Sequence, residues 1–423
     1  MPCQSNNQFL LFFYNIFIYL YKIAIKIAAI SNHKAAEWIK GRKNLFENLK
    51  EKLDESSSYI WIHSASAGEF EQAKPVIEAI KKKYPLYKIV ISFFSPSGYE
   101  AGKKYKHADI ICYLPLDTAS NAKEFVQLVN PILVIFVKYD YWYHHLKKIN
   151  QNKIPLLLIS SIYRENQPFF QFYGKLHKKM LHFFNWIFVQ DETSLQLLQK
   201  IKISHASKSG DTRFDRVDTI LDQKLSMPLL ENFAGNKKII VAGSSWPEDE
   251  QLLSEIMRDN IHDFKLILAP HEITSHHLKS ILSNFTNAIK YSEARDNDIS
   301  AYSTLIIDNV GMLSHLYSYS TITYIGGGFN KSGIHNTLEA AVWGKPVLFG
   351  PNYEKFKEAR DLIAVGAAFS ISTAAELKQK VHSLMDENKL ITTGKTAYQY
   401  IQTNKGATGF ILNYIQENRL LTN

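Results

Sequence analysis

Glu69 and Glu339 are the two carboxylates whose neighbours could make them do chemistry. Glu69 closes the run Trp61-Ile62-His63-Ser64-Ala65-Ser66-Ala67-Gly68-Glu69. Tyr59 to His63 reads as a strand and Ser64 to Gly68 as a loop of small residues that lets a substrate approach the backbone. Glu69 then opens a helix running to about Lys82. A carboxylate in that first turn is favoured in its charged form by the helix dipole, which predicts that Glu69 is ionised near pH 7. That is the state a general base needs to take a proton from an acceptor hydroxyl. A glutamate there also stabilises a helix with no chemistry at all, so position alone assigns no role.

Glu339 lies in Thr321–Phe356, TITYIGGGFNKSGIHNTLEAAVWGKPVLFGPNYEKF. Thr321 to Ile325 is a β-branched and aromatic run, stopped by Gly326, Gly327 and Gly328, where φ > 0 and close backbone approach are expected. After Gly333 a helical pattern begins, with Leu338, Ala341 and Val342 at 3/4 spacing, and Gly344-Lys345-Pro346 ends it. Val347 to Phe349 is the next strand. This βαβ order predicts a helix N-terminus at about Gly333 to Asn336, a ready anion site. Glu339, three residues after Asn336, shares a helix face with it and could accept hydrogen bonds from a ribose diol. A glycine turn followed by a solvated helix glutamate is the plainer reading of any one of these features. Their fixed order resembles the nucleotide-sugar half of a GT-B glycosyltransferase.

The elements that must position these residues are α/β throughout. A chain of 423 residues predicts two domains rather than one. Strands are predicted at 59–63, 88–93, 110–114, 132–137, 155–160 and 186–189, with helices between, giving a doubly wound sheet. A second series follows at 238–242, 265–269, 303–307, 321–325 and 346–349. The predicted boundaries are an N-terminal amphipathic, membrane-anchoring helix over 1–32, a Rossmann-like acceptor domain over 33–220 and a linker over 221–238. A Rossmann-like nucleotide-sugar domain follows over 239–396, with a helical tail over 397–423 that returns to the first domain.

Two cysteines, Cys3 and Cys112, fit a reducing compartment and offer neither a zinc nor a disulfide framework. The net charge of +9 invites a nucleic-acid reading. Its distribution argues otherwise, and no nucleic-acid-reading module is recognisable. Lys22, Lys26, Lys34, Lys40, Arg42, Lys43 and Lys50 face only Glu37 and Glu47 in the first 50 residues. They accompany the apolar stretch Phe9 to Tyr21, a pattern suited to an anionic membrane surface. Its uncharged core is short for a transmembrane span, and Lys22 and Lys26 share a face from which they can snorkel. A helix lying in the membrane interface is expected, with a single short span as the alternative.

The run Trp61 to Glu69 resembles the signature of the 3-deoxy-D-manno-octulosonic acid (Kdo) transferases of lipopolysaccharide synthesis. So do Gly210-Asp211-Thr212-Arg213-Phe214-Asp215-Arg216, the turn Ala242-Gly243-Ser244-Ser245-Trp246, the Thr321–Phe356 block and Glu37 to Lys43. The resemblance covers essentially the whole chain. It implies a GT-B enzyme, two Rossmann-like domains facing a cleft, that needs no metal or cofactor. It implies inverting transfer of Kdo from CMP-Kdo to the tetraacyl lipid A precursor at the cytoplasmic face of the inner membrane. Glu69 matches the family's base and Arg213 its transition-state stabiliser. Donor contacts carry over to Ser244, Ser245, Pro270, His271, Val310, Gly311, Met312, Gly327, Asn336, Thr337, Leu338 and Glu339.

Three positions depart from the family pattern. His271 stands where arginine is common and predicts weaker, pH-dependent phosphate binding. Met312 stands where glutamate is common, leaving only backbone contacts. Lys138, in Val137-Lys138-Tyr139-Asp140-Tyr141-Trp142, stands where a glutamate is usual; either Lys138 attracts the donor carboxylate or Asp140 takes the acidic role. The alternatives to this function are a UDP-sugar transferase or epimerase on the same fold, and a catalytically idle, membrane-bound nucleotide-binding scaffold.

Overall fold

The computed structural model describes residues 2–223, 226–259, 264–296 and 299–422. The chain forms two compact units, one of Met1–Arg216 with Lys405–Asn423 and one of Val217–Asn404.

Unit 1 is built on a seven-stranded sheet. Its strands are β1 (Tyr59–Ser64), β2 (Lys88–Phe93), β3 (Ile110–Tyr113), β4 (Pro131–Val137), β5 (Leu156–Ser161), β6 (Trp186–Val189) and β7 (Ala206–Lys208). They run in the order β3-β2-β1-β4-β5-β6-β7, every pairing parallel. Helices cover both faces, so β1 and β4 are near-continuous apolar runs rather than alternating ones. Ile60, Trp61 and Ile62 are buried, as are Leu133 to Val137. The chain turns from one side of the sheet to the other between β1 and β4, and that switch point is where a doubly wound sheet opens a crevice at its carboxyl edge.

The last helix, Ala407–Glu417, belongs to unit 1: Ile411, Ile415 and Leu421 enter the core formed with Phe70, Ala73 and Ile77 of the Ala67–Lys83 helix. Asp215 seats its first turn, accepting from the amides of Gly406 at 2.6 Å and Thr408 at 2.8 Å. A carboxylate at a helix N-terminus is favourable on both hydrogen-bond and dipole grounds. The tail is not one helix. Glu387–Asn404 lies in unit 2, and Gly406, at φ 115°, breaks the chain before the second helix.

The N-terminal helix spans Pro2–Ala28 and wears two apolar stripes. Leu11, Tyr14, Ile18, Tyr21 and Ile25 face unit 1. Phe9, Phe13, Ile16, Leu20, Ile23 and Ile27 are exposed. The segment Phe9–Ala28 is also long and apolar enough to cross a membrane by length and composition. Asp117 fixes the docked stripe: it accepts from the Tyr14 hydroxyl at 2.5 Å, from the amides of His144 and His145 at 2.9 Å each, and from the His145 ring. Burial would push this carboxyl up, but the His145 ring, the Tyr14 hydroxyl and those amides hold it below its ordinary range.

Unit 2 carries the second seven-stranded sheet, again all parallel. Its strands are β8 (Lys238–Ser245), β9 (Phe264–Pro270), β10 (Ala288–Lys290), β11 (Thr304–Ile306), β12 (Ile322–Ile325), β13 (Val347–Phe349) and β14 (Ala368–Ser370). The order is β10-β11-β9-β8-β12-β13-β14. Residues 221–238, which the sequence suggests as a linker, hold a helix at Pro228–Ala234 whose Leu230 and Phe233 are buried. The expected helix after Gly333 is also shorter than its spacing suggested. Only Leu338–Ala341 is helical, one turn, and Gly333 to Thr337 is irregular.

Candidate active site

In unit 1, Glu69 follows β1, Lys138 and Asp140 follow β4, and Arg213 follows β7, so all four lie beyond the carboxyl ends of strands. Glu69 and the Lys138–Asp140 pair flank the switch point. The Ala67–Lys83 helix sets Glu69 at its third position, where Oε2 accepts from the Ser66 amide at 3.1 Å. That is the reciprocal half of a capping box. The side chain nevertheless ends up 8% exposed. Burial and then the nearby Asp140 charge raise its pKa to about 7, against the lowering effects of the Ala65 and Ser66 amides and of Lys138. The expectation that Glu69 is simply ionised near neutrality is therefore corrected: desolvation outweighs the helix end, and the carboxyl is poised at its midpoint.

Asp140 is clamped from inside the sheet. His63, fully buried on β1, places Nε2 2.7 Å from Asp140 Oδ2 and Nδ1 2.8 Å from Ser92 Oγ of β2. The Trp142 indole donates to the same Asp140 oxygen at 3.1 Å. Lys138 sits at the strand end with φ 65°, a left-handed conformation uncommon for a side chain with a Cβ. Its charge lowers the pKa of both Glu69 and Asp211, which places it within electrostatic reach of each. Lys138 and Asp140 thus both belong to the cluster.

Arg213 is held by Asp211, whose Oδ2 takes Nε at 2.9 Å and Nη2 at 2.8 Å. Asp211 Oδ1 accepts from Gln72, one turn beyond Glu69 on the same helix, at 3.1 Å. Thr212 adds a bond to the Gln72 carbonyl at 2.6 Å. Burial would raise the Asp211 carboxyl, yet Arg213 holds it below its usual range. A fixed guanidinium can stabilise developing negative charge, and a carboxyl with a pKa of about 7 can receive a proton. His63, Gln72 and Asp211 were not picked out from sequence as site residues. His63 and Asp211 lay inside the motifs, but only the fold shows what they support.

In unit 2 the donor residues expected from sequence fall along one edge of the sheet. Ser244 and Ser245 end β8, Pro270 and His271 end β9, Val310 to Met312 follow β11, and Gly327 and Asn336 to Glu339 follow β12. Ser244 has φ 54°. A Cβ on Gly326 would stand 2.2 Å from the Ser244 carbonyl oxygen, so the glycine run lets two strand ends pack together. Buried Asp249 ties the edge by accepting from the amides of Gly327 at 2.8 Å and Trp246 at 3.0 Å and from the Tyr324 hydroxyl at 2.8 Å.

An aromatic stack rises from this edge. The exposed His271 ring lies over Trp246 at 4.8 Å and 22°, and 4.5 Å from the His335 ring. Burial and His271 push His335 down to about 4, which keeps that imidazole neutral at physiological pH. Asn336 donates to Glu339 Oε1 at 2.9 Å, pre-orienting the carboxylate. Thr337 is buried, and among the described residues its hydroxyl has no hydrogen-bond partner. The single turn Leu338–Ala341 is too short to supply the dipole expected at 333–336. Two expected contacts are limited by burial: the Ser245 hydroxyl is spent on Glu250 at 2.9 Å, and Leu338 can offer only backbone. Val310 and Gly311 are exposed, with Gly311 at φ 95°.

A family model described as 3-Deoxy-D-manno-octulosonic-acid transferase (kdotransferase) matches residues 40–216. The 3-deoxy-D-manno-octulosonic acid transferase of Rickettsia prowazekii (strain Madrid E) is 27% identical over 401 residues, covering 91% of this chain and 85% of that protein. That of Aquifex aeolicus (strain VF5) is 26% identical over 349 residues, covering 81% and 90%. The family match and these relatives, which span most of the chain, support the Kdo transferase family for it. They likewise support glycosyltransferase activity. Among solved structures, UDP-GlcNAc 2-epimerase from Neisseria meningitidis aligns with TM-score 0.60 at 16% identity, over 85% of this chain and 100% of that chain. MurG from Acinetobacter baumannii aligns with TM-score 0.53 at 12% identity, over 85% and 99%. At such identities the likeness is one of fold, and the fold is GT-B.

Proposed function

We propose that this Kdo transferase moves Kdo from CMP-Kdo to a hydroxyl of the tetraacyl lipid A precursor, inverting the anomeric centre, with Glu69 as general base. One observation carries the mechanism: a buried carboxyl at the switch point of unit 1, with its pKa raised to about 7 and within electrostatic reach of Asp140 and Lys138. Glu69 takes the proton of the acceptor hydroxyl as that oxygen bonds to the anomeric carbon. The bond from that carbon to the phosphate oxygen breaks, and CMP leaves with the electron pair. Arg213 and Lys138 offset the negative charge of the departing phosphate and of the sugar carboxylate. His63 holds Asp140 beside Glu69, so the base keeps a pKa near its working range.

In this reading unit 2 supplies the nucleotide site. The Trp246–His271–His335 stack offers a flat face and an imidazole N–H, Asn336 and Glu339 bind the ribose, and backbone at 310–312 and 327 lines the remainder. The exposed stripe of the N-terminal helix lies in the membrane interface at the cytoplasmic face of the inner membrane, and the docked stripe joins it to unit 1. Support comes from ten large apolar residues of residues 9–30 being exposed, several of them aromatic.

The test is to incubate the protein with CMP-Kdo generated in situ and tetraacyl lipid A precursor, then weigh the lipid product and assign its anomeric configuration by NMR. Product with UDP-sugars instead, or retention of configuration, overturns the proposal.

A further inference from the structure

Lys22, Lys26 and Arg42 line one groove, formed by the N-terminal helix, the His33–Lys40 helix and the segment after β3. Among the described residues none of the three has an ion-pair partner. Arg42 is fixed by backbone oxygens alone: Nε donates to Leu114 O at 2.9 Å, Nη1 to Trp38 O at 3.2 Å and Nη2 to Phe94 O at 2.8 Å. Its guanidinium lies 3.7 Å from the centre of the Trp38 ring. Burial lowers its pKa to about 9, so it is still charged at neutral pH. A cation held in apolar surroundings with no acid beside it leaves a site that an anion completes.

The rest of the groove is amphipathic. Phe46 and Leu116 give it an apolar wall, and Thr118 and Ser120 bring the N-terminus of the Ala119–Val129 helix to its rim. Its volume of about 390 Å³ is in the range of small-ligand sites. Lys22 and Lys26 are exposed and rise from the N-terminal helix, whose Phe13, Phe17 and Leu20 are exposed on an adjoining face. A free phosphate needs no such apolar surroundings. A phosphate carried on acyl chains uses both.

We propose that this groove binds the phosphate headgroup of a membrane-embedded anionic lipid, between Lys22, Lys26 and Arg42. The proposal rests on the reading that the N-terminal helix lies on a membrane, and it adds a headgroup-selective site to that contact. The groove also adjoins the catalytic cluster. Phe94, whose carbonyl holds Arg42, stacks on Trp142 at 4.6 Å, and Trp142 donates to Asp140.

The test is flotation of the full chain with phosphatidylcholine vesicles, with and without phosphatidic acid. Phosphatidic acid is expected to tighten wild-type binding. K22Q/K26Q removes about thirtyfold of that gain and leaves binding to pure phosphatidylcholine unchanged. K34Q/K43Q, which removes the same charge at exposed positions outside the groove, loses less than about fivefold. Equal losses in the two double variants mean diffuse attraction and overturn the groove. Displacement by millimolar inorganic phosphate overturns the lipid as occupant. Wild-type binding that ignores phosphatidic acid overturns the groove alone, whereas failure to bind any vesicle overturns the membrane reading with it.

Discussion

His63 Nε2 lies 2.7 Å from Asp140 Oδ2, joining the buried interior of β1 to the loop after β4. The bond spans the switch point of the unit 1 sheet, and Asp140 in turn raises the Glu69 pKa. Replacing Asp140 by Asn removes a negative neighbour and favours the ionised base. The acidic limb of kcat/KM against pH, expected at about 7 in the wild type, then moves to lower pH. A limb that stays in place separates Asp140 from the base.

Glu69→Gln is expected to lower kcat by about 10²–10⁴-fold, the usual contribution of a general base. It is also expected to stabilise the protein above pH 7. The folded pKa of about 7 exceeds the ordinary 4.5, so the folded state binds the extra proton between those values and wild-type stability falls as pH rises through that window. At about 1.4 kcal/mol per pKa unit the loss is on the order of 3 kcal/mol. Gln retains the capping geometry and has no charge to bury. Denaturant melts at pH 5 and pH 8 measure this: the variant's advantage must grow with pH.

Arg213→Ala is expected to lose both activity and stability. Asp211, 6% exposed, would lose its bonded guanidinium and keep only Gln72 and the more remote Lys138 charge, and breaking a buried pair typically costs about 3–5 kcal/mol. Asp211→Asn/Arg213→Ala removes the stranded charge. Recovery of melting temperature without recovery of kcat would place Arg213 in the chemistry rather than only in the fold.

His271→Arg is expected to tighten CMP binding several-fold, because a guanidinium is always charged and can pair bidentately with phosphate. His271 is exposed over Trp246, where an arginine can stack on the same ring. Titration calorimetry with CMP reads the effect. Unchanged affinity would remove His271 from the phosphate site.

Deleting residues 1–30 is a poor test of membrane contact, because the docked stripe would leave Trp38 and Leu116 uncovered. Phe13→Ser/Phe17→Ser alters the outward stripe, where these rings are 50% and 60% exposed, at the loss of one Phe17–Tyr21 stacking contact. Each exposed ring can contribute about 1.5–3 kcal/mol when buried in lipid. The double variant is expected to lose activity on vesicle-embedded acceptor by at least tenfold and to keep wild-type CMP affinity. Equal loss of both would count against membrane docking.

Much of this molecule is written locally. The alternation of apolar strands, small-residue turns and amphipathic helices determined two α/β units, because a parallel strand buried on both faces has to be a continuous apolar run. The motifs around Glu69, Arg213 and Gly326 likewise fixed which residues line the carboxyl edges. The edge strands β7, β10 and β14 escaped notice, since three residues at a sheet margin carry too little apolar pattern. The one-turn helix at Leu338 escaped for a related reason: spacing shows which residues face inward, not where backbone hydrogen bonding stops. Tertiary structure alone decided the protonation of Glu69, the clamp from His63 to Asp140 and, among the described residues, the absence of an acid beside Arg42. Desolvation and charge proximity depend on distances between residues far apart in the chain, and no run of neighbouring letters encodes them.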